Sequence, residues 1–425
     1  MKILHIAAHL GGGVGKAHAA LRETAAAQAA ALPGGAGESH SYALLEAPRD
    51  IAFADRIAAA GARLHVMPDL DTLKTLVRQA DVVQVEWWNH PRLYALLAGT
   101  DLPAMRLALW VHISGLAPPL IPARLAALAD AVLFTSSCSL EAPNLKPLVV
   151  ADPARFDVVN SGFGFSTAVR PRRRSGPVRL GHLGTLDFIK LHPAVFRILD
   201  EVADAADAPL AVPFHGHHDT QGAVAQTAAA MRNPGCVRFP GYAADPASMM
   251  RGLDAFLYLL TPGHYGTGEN ALIEAMSLGL APVVWDNPAE TAIVTNRRTG
   301  FVVSSEAEAV ECLGWMLRNP VEVARVGRAA AAQMHRTRTP SASLDRLALA
   351  YSRVMATRPR RRNFRAALGG DARAWFLSTL TVPAQAPPTA PEPGLRFLSS
   401  QAAKGSLGHF RACLPDDASL AQISA

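Results

Sequence analysis

The sequence predicts an α/β fold built from two doubly wound parallel-sheet domains, followed by a C-terminal helical or irregular tail. Short apolar runs of strand length alternate with longer amphipathic stretches along most of the chain, a pattern typical of βα units. These runs are apolar on both faces, and such strands belong to parallel sheets that helices cover on each side. Residues 169–177, rich in proline, glycine and charge, interrupt the alternation and indicate a connection between the domains.

The same alternation predicts the elements of each domain. Strands are expected in the first domain at residues 3–7, 41–45, 63–67, 82–85, 107–111, 131–134 and 158–159. Strands are expected in the second domain at residues 178–183, 210–214, 237–239, 255–260, 281–285 and 301–303. We therefore assign residues 1–172 to the first domain, 173–340 to the second, 341–360 to a C-terminal helix and 361–425 to a basic, proline-containing tail.

The chain is long and apolar enough for two hydrophobic cores. It has 425 residues, of which 50% are hydrophobic, and single cores usually stop growing near ~250–300 residues. A net charge of +6 favours anionic ligands such as nucleotide diphosphates or lipid headgroups, but it is too small to indicate nucleic acid. The longest apolar neighbourhood, residues 106–134, is broken by charged residues and prolines. We therefore expect no membrane span and a cytoplasmic protein.

The four cysteines are expected to be free thiols. They lie far apart, and no pair has the spacing of zinc ligands, so a structural metal is not expected. They are Cys138, Cys236, Cys312 and Cys413.

A glycine-rich loop at residues 11–17 follows the first strand and opens a helix. Unencumbered amides at a helix N-terminus stabilise phosphate, so Gly12 and Gly13 are candidates for a phosphate contact. The loop is not a Walker A motif, because Leu10 stands where the first glycine should be. It is not the dinucleotide fingerprint either, because Lys16 replaces the last glycine. A tight turn that simply requires glycine is the alternative.

A second glycine-rich loop, at residues 263–268, leads into a predicted helix at residues 271–279. We expect Asn270 to cap this helix and Gly279 to end it. Glu274 lies about one turn into the helix, where its carboxylate could accept two hydroxyl hydrogen bonds from a ribose. The alternative is an exposed helix carboxylate, but the apolar neighbours of Glu274 indicate a largely buried helix.

Residues 265–284, followed by residues 286–290 and 299–303, resemble the signature of the retaining family-four glycosyltransferases (glycosyl transferases group 1). That signature contains two glutamates separated by seven residues, then Ala-Met, Gly, Pro-Val-Val and a distal Thr-Gly. The resemblance covers about residues 2–320, strongly in the second domain and loosely in the first. It implies a GT-B fold, in which two Rossmann-like domains face a cleft and the helix at 341–360 packs back toward the first domain. It also implies that no metal or other cofactor is needed.

The resemblance implies roles for residues of the second domain. Glu274 would hold the nucleotide ribose, and Lys190 would neutralise the departing diphosphate. Tyr242, next to Gly241, would lie against the nucleobase. The alternative for Lys190 is a solvated lysine at a helix start. Sugar and phosphate would be held by the backbone amides of the turn formed by Gly268, Glu269, Asn270 and Ala271.

The sequence departs from the family pattern at two places. The first glutamate of the pair should fall at position 266, which is glycine, so a carboxylate contact to the donor sugar must come from Glu269 or be absent. The arginine that usually faces the diphosphate is also missing, because Gly184 and Thr185 stand there. Thr185 could donate one hydroxyl, which leaves Lys190 as the main cation.

Candidates on the acceptor side lie in the first domain. His112 follows a predicted strand, at the carboxyl end where ligands of open α/β sheets bind, and the family has a histidine in a similar context. A satisfied histidine at a strand end is the alternative. Glu86 ends another strand beside aromatic residues and is a second acceptor-side candidate. Asp69 and Asp71 resemble a metal-binding Asp-x-Asp pair, but Asp71 is more simply expected to cap a helix.

The sequence and its resemblance together predict a hexosyltransferase with a nucleotide diphosphate-sugar donor and a saccharide or lipid-linked acceptor. Retention of the anomeric configuration and metal independence are implied by the resemblance alone. His112, Lys190 and Glu274 would have the catalytic roles. The alternatives are a sugar-nucleotide epimerase, a non-catalytic GT-B-like binding module or partner subunit and, more distantly, a dinucleotide oxidoreductase. The basic segment from Arg358 to Arg365 suggests peripheral contact with anionic lipid at the inner face of the membrane, and a solvated linker is its alternative.

Overall fold

The computed structural model describes residues 1–31, 38–48, 51–166, 176–217, 219–380 and 404–423. The expected connection at 169–177 lies mostly outside these ranges, as do the tail residues 382–393 and 395–402. The chain divides into two compact units. Unit 1 comprises Met1–Ser161, Tyr265–Gly268 and Pro340–Ala425, and unit 2 comprises Gly162–His264 and Glu269–Thr339.

Unit 1 contains a 7-stranded sheet in the order β3-β2-β1-β4-β5-β6-β7, and neighbouring strands pair in parallel. Its strands are β1 Lys2–Ala7, β2 Ser39–Leu44, β3 Arg63–Val66, β4 Val82–Trp87, β5 Leu107–Val111, β6 Ala131–Phe134 and β7 Phe156–Val158. Its helices before unit 2 are α1 Gly12–Ala31, α2 Ala52–Ala59, α3 Leu70–Gln79, α4 Pro91–Gly99, α5 Ala123–Leu128 and α6 Lys146–Ala151, with short 3-10 helices at Ser137–Glu141 and Pro153–Arg155.

Unit 2 contains a 6-stranded parallel sheet in the order β10-β9-β8-β11-β12-β13. Its strands are β8 Leu180–Leu183, β9 Val212–His215, β10 Val237–Gly241, β11 Ala255–Tyr258, β12 Ala281–Trp285 and β13 Phe301–Val303. Its helices are α7 Val195–Asp204, α8 Ala223–Ala229, α9 Pro246–Arg251, α10 Asn270–Ser277, α11 Pro288–Thr291, α12 Glu306–Arg318 and α13 Pro320–Thr337, with a 3-10 helix at Pro234–Cys236.

The C-terminal residues add further helices to unit 1, namely α14 Pro340–Met355, α15 Phe364–Leu368, α16 Ala372–Leu377, α17 Leu407–Cys413 and a 3-10 helix at Ala418–Gln422. Helix α14 packs on α1 and on strands β4, β5 and β6. None of the helices in the described ranges has both the length and the hydropathy that a transmembrane segment requires.

The central strands of both sheets are buried on both faces, which explains why their sequences are largely apolar. All residues of β4 and β5 in unit 1, and of β11 and β12 in unit 2, are buried. Every predicted strand is present, and the prediction of two parallel α/β sheets is confirmed. In each sheet the strand order reverses beside the first strand, between β1 and β4 and between β8 and β11. Ligands of doubly wound sheets bind outside the carboxyl ends of the strands at such points.

Two predicted helix caps are wrong. Helix α3 begins at Leu70, and its cap is Asp69, whose extended backbone lets the carboxylate accept a hydrogen bond from the Thr72 amide at 2.7 Å. Asp71 instead lies in the first turn. Helix α10 begins at Asn270, so the capping position falls on Glu269, which makes no side-chain cap bond. The expected stop at Gly279 is found, because the helix ends two residues earlier and Gly279 has φ +83°.

The basic segment is tied to unit 1 by ion pairs. The guanidinium of Arg362 is buried against Asp130, and Arg360 reaches the same carboxylate at 2.7 Å. Arg361 pairs with Asp101 at 2.7 Å. These ion pairs fix the chain before α15 and leave fewer arginines of the segment available to contact lipid. The lipid contact itself stays a prediction.

Candidate functional site

The predicted donor-side glycines of unit 2 meet at the carboxyl ends of adjacent strands. Gly184 follows β8 and donates its amide hydrogen to the carbonyl of His215, at the end of β9, at 3.0 Å. The Gly216 amide donates to the carbonyl of Gly241, the last residue of β10, at 3.1 Å. Gly216 could not carry a side chain, because a Cβ there would lie 2.1 Å from the Gly184 carbonyl oxygen. Three loops therefore leave the sheet edge close together.

An aromatic surface stands at this edge. Tyr242 is 69% exposed, and its ring stacks on His217 with 5.2 Å between ring centroids and 18° between ring planes. A cavity of about 420 Å³ is lined by Thr185, Asp187 and His217, among others. An exposed stacked ring beside a cavity can hold a planar base. Only Tyr242 was predicted here, although the histidines that follow β9 at the same edge were a signal for His217.

Lys190, the predicted diphosphate cation, is paired within unit 2. Its Nζ lies 3.2 Å from one carboxylate oxygen of Glu269, and the Tyr258 hydroxyl donates to the same oxygen. Burial opposes the ionisation of Glu269, but Lys190 and His264 outweigh it and hold the pKa of this carboxyl below its usual range. Glu269 therefore orients Lys190, and its own carboxylate is already occupied by cationic and hydroxyl partners.

A second buried pair, which the sequence analysis missed, stands beside the first. His264 Nε2 lies 2.9 Å from a carboxylate oxygen of Glu290, and His264 Nδ1 lies 3.9 Å from Glu269. Burial raises the pKa of Glu290, and the nearby Glu269 acts in the same direction. Glu290 ends the segment 286–290 that resembles the family signature, whereas His264 lies just before residue 265, so only the fold brings the two together.

Glu274 lies one turn into α10 and is buried, as are Leu272, Ile273 and Met276 around it. The alternative of an exposed helix carboxylate is therefore excluded. The Glu274 carboxylate also raises the pKa of Tyr258, although burial of the Tyr258 hydroxyl is the larger cause. Lys190 and Glu269 thus form a charged pair bonded to the neutral Tyr258, and Glu274 lies about one turn further along α10.

The loop that precedes α10 belongs to unit 1 rather than to the predicted second domain. The Ser114 amide donates to the Tyr265 carbonyl at 3.0 Å, and the hydroxyls of Thr135 and Thr267 lie 3.2 Å apart. A Cβ at Gly268 would lie 3.0 Å from the Ser161 hydroxyl. The unit boundary therefore falls between Gly268 and Glu269, within the predicted turn of backbone amides.

The first glycine-rich loop combines structural and exposed glycines. A Cβ at Gly15 would lie 1.7 Å from the Leu10 carbonyl oxygen, so this glycine is required by the turn itself. Gly12 and Gly13 are exposed at the start of α1, and Gly12 has φ +60°. The two explanations from the sequence thus apply to different residues: the turn requires Gly15, whereas Gly12 and Gly13 are exposed, so the predicted phosphate contact stays a prediction for them.

His112 and Glu86 are neighbours in unit 1. His112 Nε2 lies 2.9 Å from Glu86 Oε2. Burial lowers the pKa of His112, which the bond to Glu86 only partly offsets. Glu86 is fully buried, and ring nitrogens occupy both of its oxygens, so this geometry does not favour the predicted direct contact between Glu86 and an acceptor.

Two buried clusters have the ligand types of a metal site. The donor atoms of His264, Glu269 and Glu290, and those of His5, His18 and Glu86, lie within 4.8 Å of one another. In both clusters the rings already lie at 2.9–3.9 Å from the carboxylates, so hydrogen bonding and ion pairing account for their closeness. Asp69, from the Asp-x-Asp pair, caps α3 instead. Metal independence stays a prediction.

A known protein family matches part of the chain. Residues 178–319 match the family model of the glycosyl transferases group 1. The comparison with curated protein sequences gives no match.

Solved structures match over most of the chain. A glycosyltransferase from Rickettsia africae has 11% identity and a TM-score of 0.60, and the match covers 84% of this chain and 99% of that one. HepE from Anabaena, solved with UDP, has 17% identity and a TM-score of 0.60, with 83% and 100% covered. The lipopolysaccharide outer core galactosyltransferase WaaB has 14% identity and a TM-score of 0.59, with 82% and 99% covered. These matches confirm the predicted fold, a GT-B arrangement of two Rossmann-like α/β domains.

Proposed function

We propose that this protein is a retaining glycosyltransferase that moves a hexose from a nucleotide diphosphate-sugar to a saccharide or lipid-linked acceptor. Two observations of unit 2 carry the proposal: the pair of Lys190 and Glu269 with Glu274 at the start of α10, and the exposed ring of Tyr242 stacked on His217 after β10. All of these residues lie within the segment that matches the glycosyl transferases group 1. Each end of a nucleotide diphosphate thus has a matching group in unit 2.

The proposed roles follow from the chemistry of the donor. Tyr242 and His217 would stack on the base, and the Glu274 carboxylate would accept hydrogen bonds from the ribose hydroxyls. Lys190, held by Glu269, would stabilise negative charge on the departing diphosphate together with the amides that begin α10. HepE has been solved with UDP and with UDP-glucose, which makes UDP-glucose the first donor to test.

The experiment is a panel of nucleotide sugars assayed for release of the nucleoside diphosphate and for transfer to saccharide and lipid-linked acceptors. We expect turnover with at least one donor. The anomeric configuration of the transferred sugar in the product, identified by proton NMR, should be the same as in the donor. Glu274→Gln and Lys190→Met should each lower kcat/KM tenfold or more, since each removes a charge proposed to contact the donor. Glu311→Gln, at an exposed carboxylate of α12 in the same unit, is the matched control and should leave kcat/KM unchanged.

A second candidate is a non-catalytic nucleotide-sugar-binding module. It is favoured by glycine at position 266 and by the pairing of Lys190 with Glu269. Nucleotide binding that Glu274→Gln weakens, without turnover for any donor and acceptor, would support the module and contradict the transferase. Conversion of one nucleotide sugar into its epimer without an acceptor would indicate an epimerase that uses the His264–Glu290 pair.

A further inference from the structure

One face of the sheet in unit 1 carries a layer of buried polar side chains. His5 of β1 is in register with Gln84 of β4, and Glu86 of β4 is in register with Trp110 of β5. Registered residues of parallel strands point to the same side, and so do residues two apart, which brings His112 onto the same face. A polar layer under the helices of a doubly wound sheet is unusual, because such positions are normally apolar.

Glu86 lies at the centre of this layer and accepts several hydrogen bonds. His112 Nε2 lies 2.9 Å from Oε2, while His5 Nδ1 and Gln84 Nε2 lie 3.0 and 2.6 Å from Oε1. His18 Nε2 lies 3.1 Å from the same Oε1. The Gln84 amide is oriented from its other side, since the Tyr351 hydroxyl of α14 donates to Gln84 Oε1 at 2.7 Å. Its nitrogen must therefore face Glu86.

The carboxyl of Glu86 is ionised in this setting. Burial opposes the charge, but His18 and the ring donors of His112 and His5 outweigh burial and hold the pKa of Glu86 well below its usual range. An ionised carboxylate only accepts hydrogen bonds, so each nitrogen bonded to it must carry a hydrogen. The identity of the protonated ring nitrogen of His112 follows from this partner.

His112 is consequently held with hydrogen on Nε2. Burial keeps the pKa of this ring low, so the ring is neutral and Nδ1 retains a lone pair. Among the residues that the structure describes, no hydrogen-bond donor reaches His112 Nδ1. The side chain keeps 6% exposure just beyond the carboxyl end of β5, where the sheet binds ligands.

We propose that Glu86 is a positioning residue that fixes His112 as the Nε2–H tautomer, so that His112 Nδ1 accepts a hydrogen bond from a substrate hydroxyl. An acceptor nitrogen at this point binds a hydroxyl and repels a carboxylate or phosphate oxygen, which gives the site a preference for a neutral, hydroxylated group. The nature of the substrate rests on the proposed function, whereas the tautomer does not.

The tautomer is tested by nitrogen-15 NMR on protein labelled at histidine, with His112 assigned by comparison with His112→Gln. At neutral pH the wild-type ring should show a protonated Nε2 and an unprotonated Nδ1. Glu86→Gln keeps the volume but leaves a single acceptor oxygen. Three nitrogens lie near the Oε1 position, so the amide oxygen should take that place and the NH2 group should face His112 Nε2, which shifts His112 toward a mixture of tautomers. Glu141→Gln, the same change at an exposed carboxylate of unit 1, is the matched control and should leave the His112 tautomer unchanged.

Two outcomes overturn the proposal. One is a wild-type His112 that is protonated at Nδ1 or on both nitrogens, a measurement that remains valid if Glu86→Gln does not fold. The other is a Glu86→Gln protein whose His112 keeps the wild-type tautomer.

Kinetics separate positioning from a structural role. Glu86→Gln should lower kcat for transfer tenfold or more while the Kd for UDP, measured by calorimetry, changes less than twofold, because the proposed nucleotide contacts lie in unit 2. A wild-type kcat in Glu86→Gln contradicts the proposal. Absence of turnover in the wild-type protein contradicts the proposed function instead, and leaves the NMR result to decide on the tautomer.

Discussion

At the scale of single residues, the pair of Lys190 and Glu269 decides what the donor side can do. The sequence left open whether Glu269 replaces the carboxylate that is missing at position 266. In the structure the Glu269 carboxylate is buried and bonded to Lys190 and Tyr258. A carboxylate used in this way orients a cation and has little capacity left for a sugar hydroxyl. We therefore assign Glu269 to Lys190 rather than to the sugar.

This assignment predicts the effect of Glu269→Gln on donor binding. The substitution removes a negative charge 3.2 Å from Lys190 Nζ, so the lysine would meet a diphosphate with its full charge. We expect UDP and UDP-glucose to bind more tightly by the same factor, about three- to tenfold, which corresponds to about 0.7–1.4 kcal/mol. Isothermal titration calorimetry with both ligands measures the two factors.

The comparison of the two ligands is the decisive part of that measurement. If Glu269 held the sugar, Glu269→Gln would weaken the binding of UDP-glucose relative to the binding of UDP. That result would contradict the assignment of Glu269 to Lys190. Glu311→Gln, with an exposed carboxylate on another helix of unit 2, controls for a general change in charge and should alter neither affinity.

At the scale of secondary structure elements, strands were predicted well and helix starts were not. A buried parallel strand, such as β5 or β12, appears in the sequence as a continuous apolar run. Such a run can be recognised from the sequence alone. A helix cap depends on the backbone angles of one residue, and two aspartates two positions apart compete for that place before α3. Asp69 has the extended backbone conformation that a cap requires, so Asp69 is the cap of α3.

The turn between β1 and α1 shows a similar distinction among glycines that look alike in the sequence. We expect Gly15→Ala to destabilise unit 1 by at least about 2 kcal/mol, because the added methyl group would meet the Leu10 carbonyl oxygen at 1.7 Å. Gly12→Ala should cost only about 1 kcal/mol, since φ +60° strains alanine but the added methyl group would meet only Lys404 Nζ, at an ordinary contact distance of 3.8 Å. Chemical denaturation of the two variants measures this difference.

Gly99→Ala provides the control for those variants. A Cβ at Gly99, at the end of α4 in the same unit, would meet nothing within 4 Å, so its stability should stay close to that of the wild type. Equal losses for Gly12→Ala and Gly15→Ala would contradict the separation of the loop into a structural glycine and an exposed glycine.

At the scale of the whole molecule, the long-range contacts were beyond the sequence. Arg360 and Arg362 belong to the basic segment that is visible in the sequence. Their shared partner Asp130 lies more than two hundred positions earlier in the chain. The polar layer around Glu86 draws on β1, β4, β5, α1 and α14 in the same way. Its signals in the sequence were His5 and Gln84, polar residues inside strands that the pattern required to be apolar, beside the candidates Glu86 and His112. Such partners become apparent only when the sheet order is known.

Buried histidines in both units predict that the folded protein loses stability on acidification. Burial lowers the pKa of His40 in unit 1 to about 4 and that of His182 in unit 2 to about 4. Both rings are then neutral in the folded chain but protonated in the unfolded chain below pH ~6.5. The unfolded state binds more protons, so the free energy of unfolding falls as pH drops from about 6.5 to about 4, by up to about 1.4 kcal/mol per pH unit for each ring.

Calorimetric unfolding at a series of pH values between about 7 and 5 measures this slope. His40→Asn removes one of the titrating rings, so the slope for unit 1 should fall by up to about 1.4 kcal/mol per pH unit. Ser41→Ala, on the same strand, removes no titrating group and should keep the wild-type slope. The ionised Glu86 acts in the same direction, because its lowered pKa stabilises the fold at neutral pH and the benefit disappears in acid. A stability that stays constant or rises toward pH 5 would therefore contradict the neutral, buried state of His40 and His182 in the folded chain.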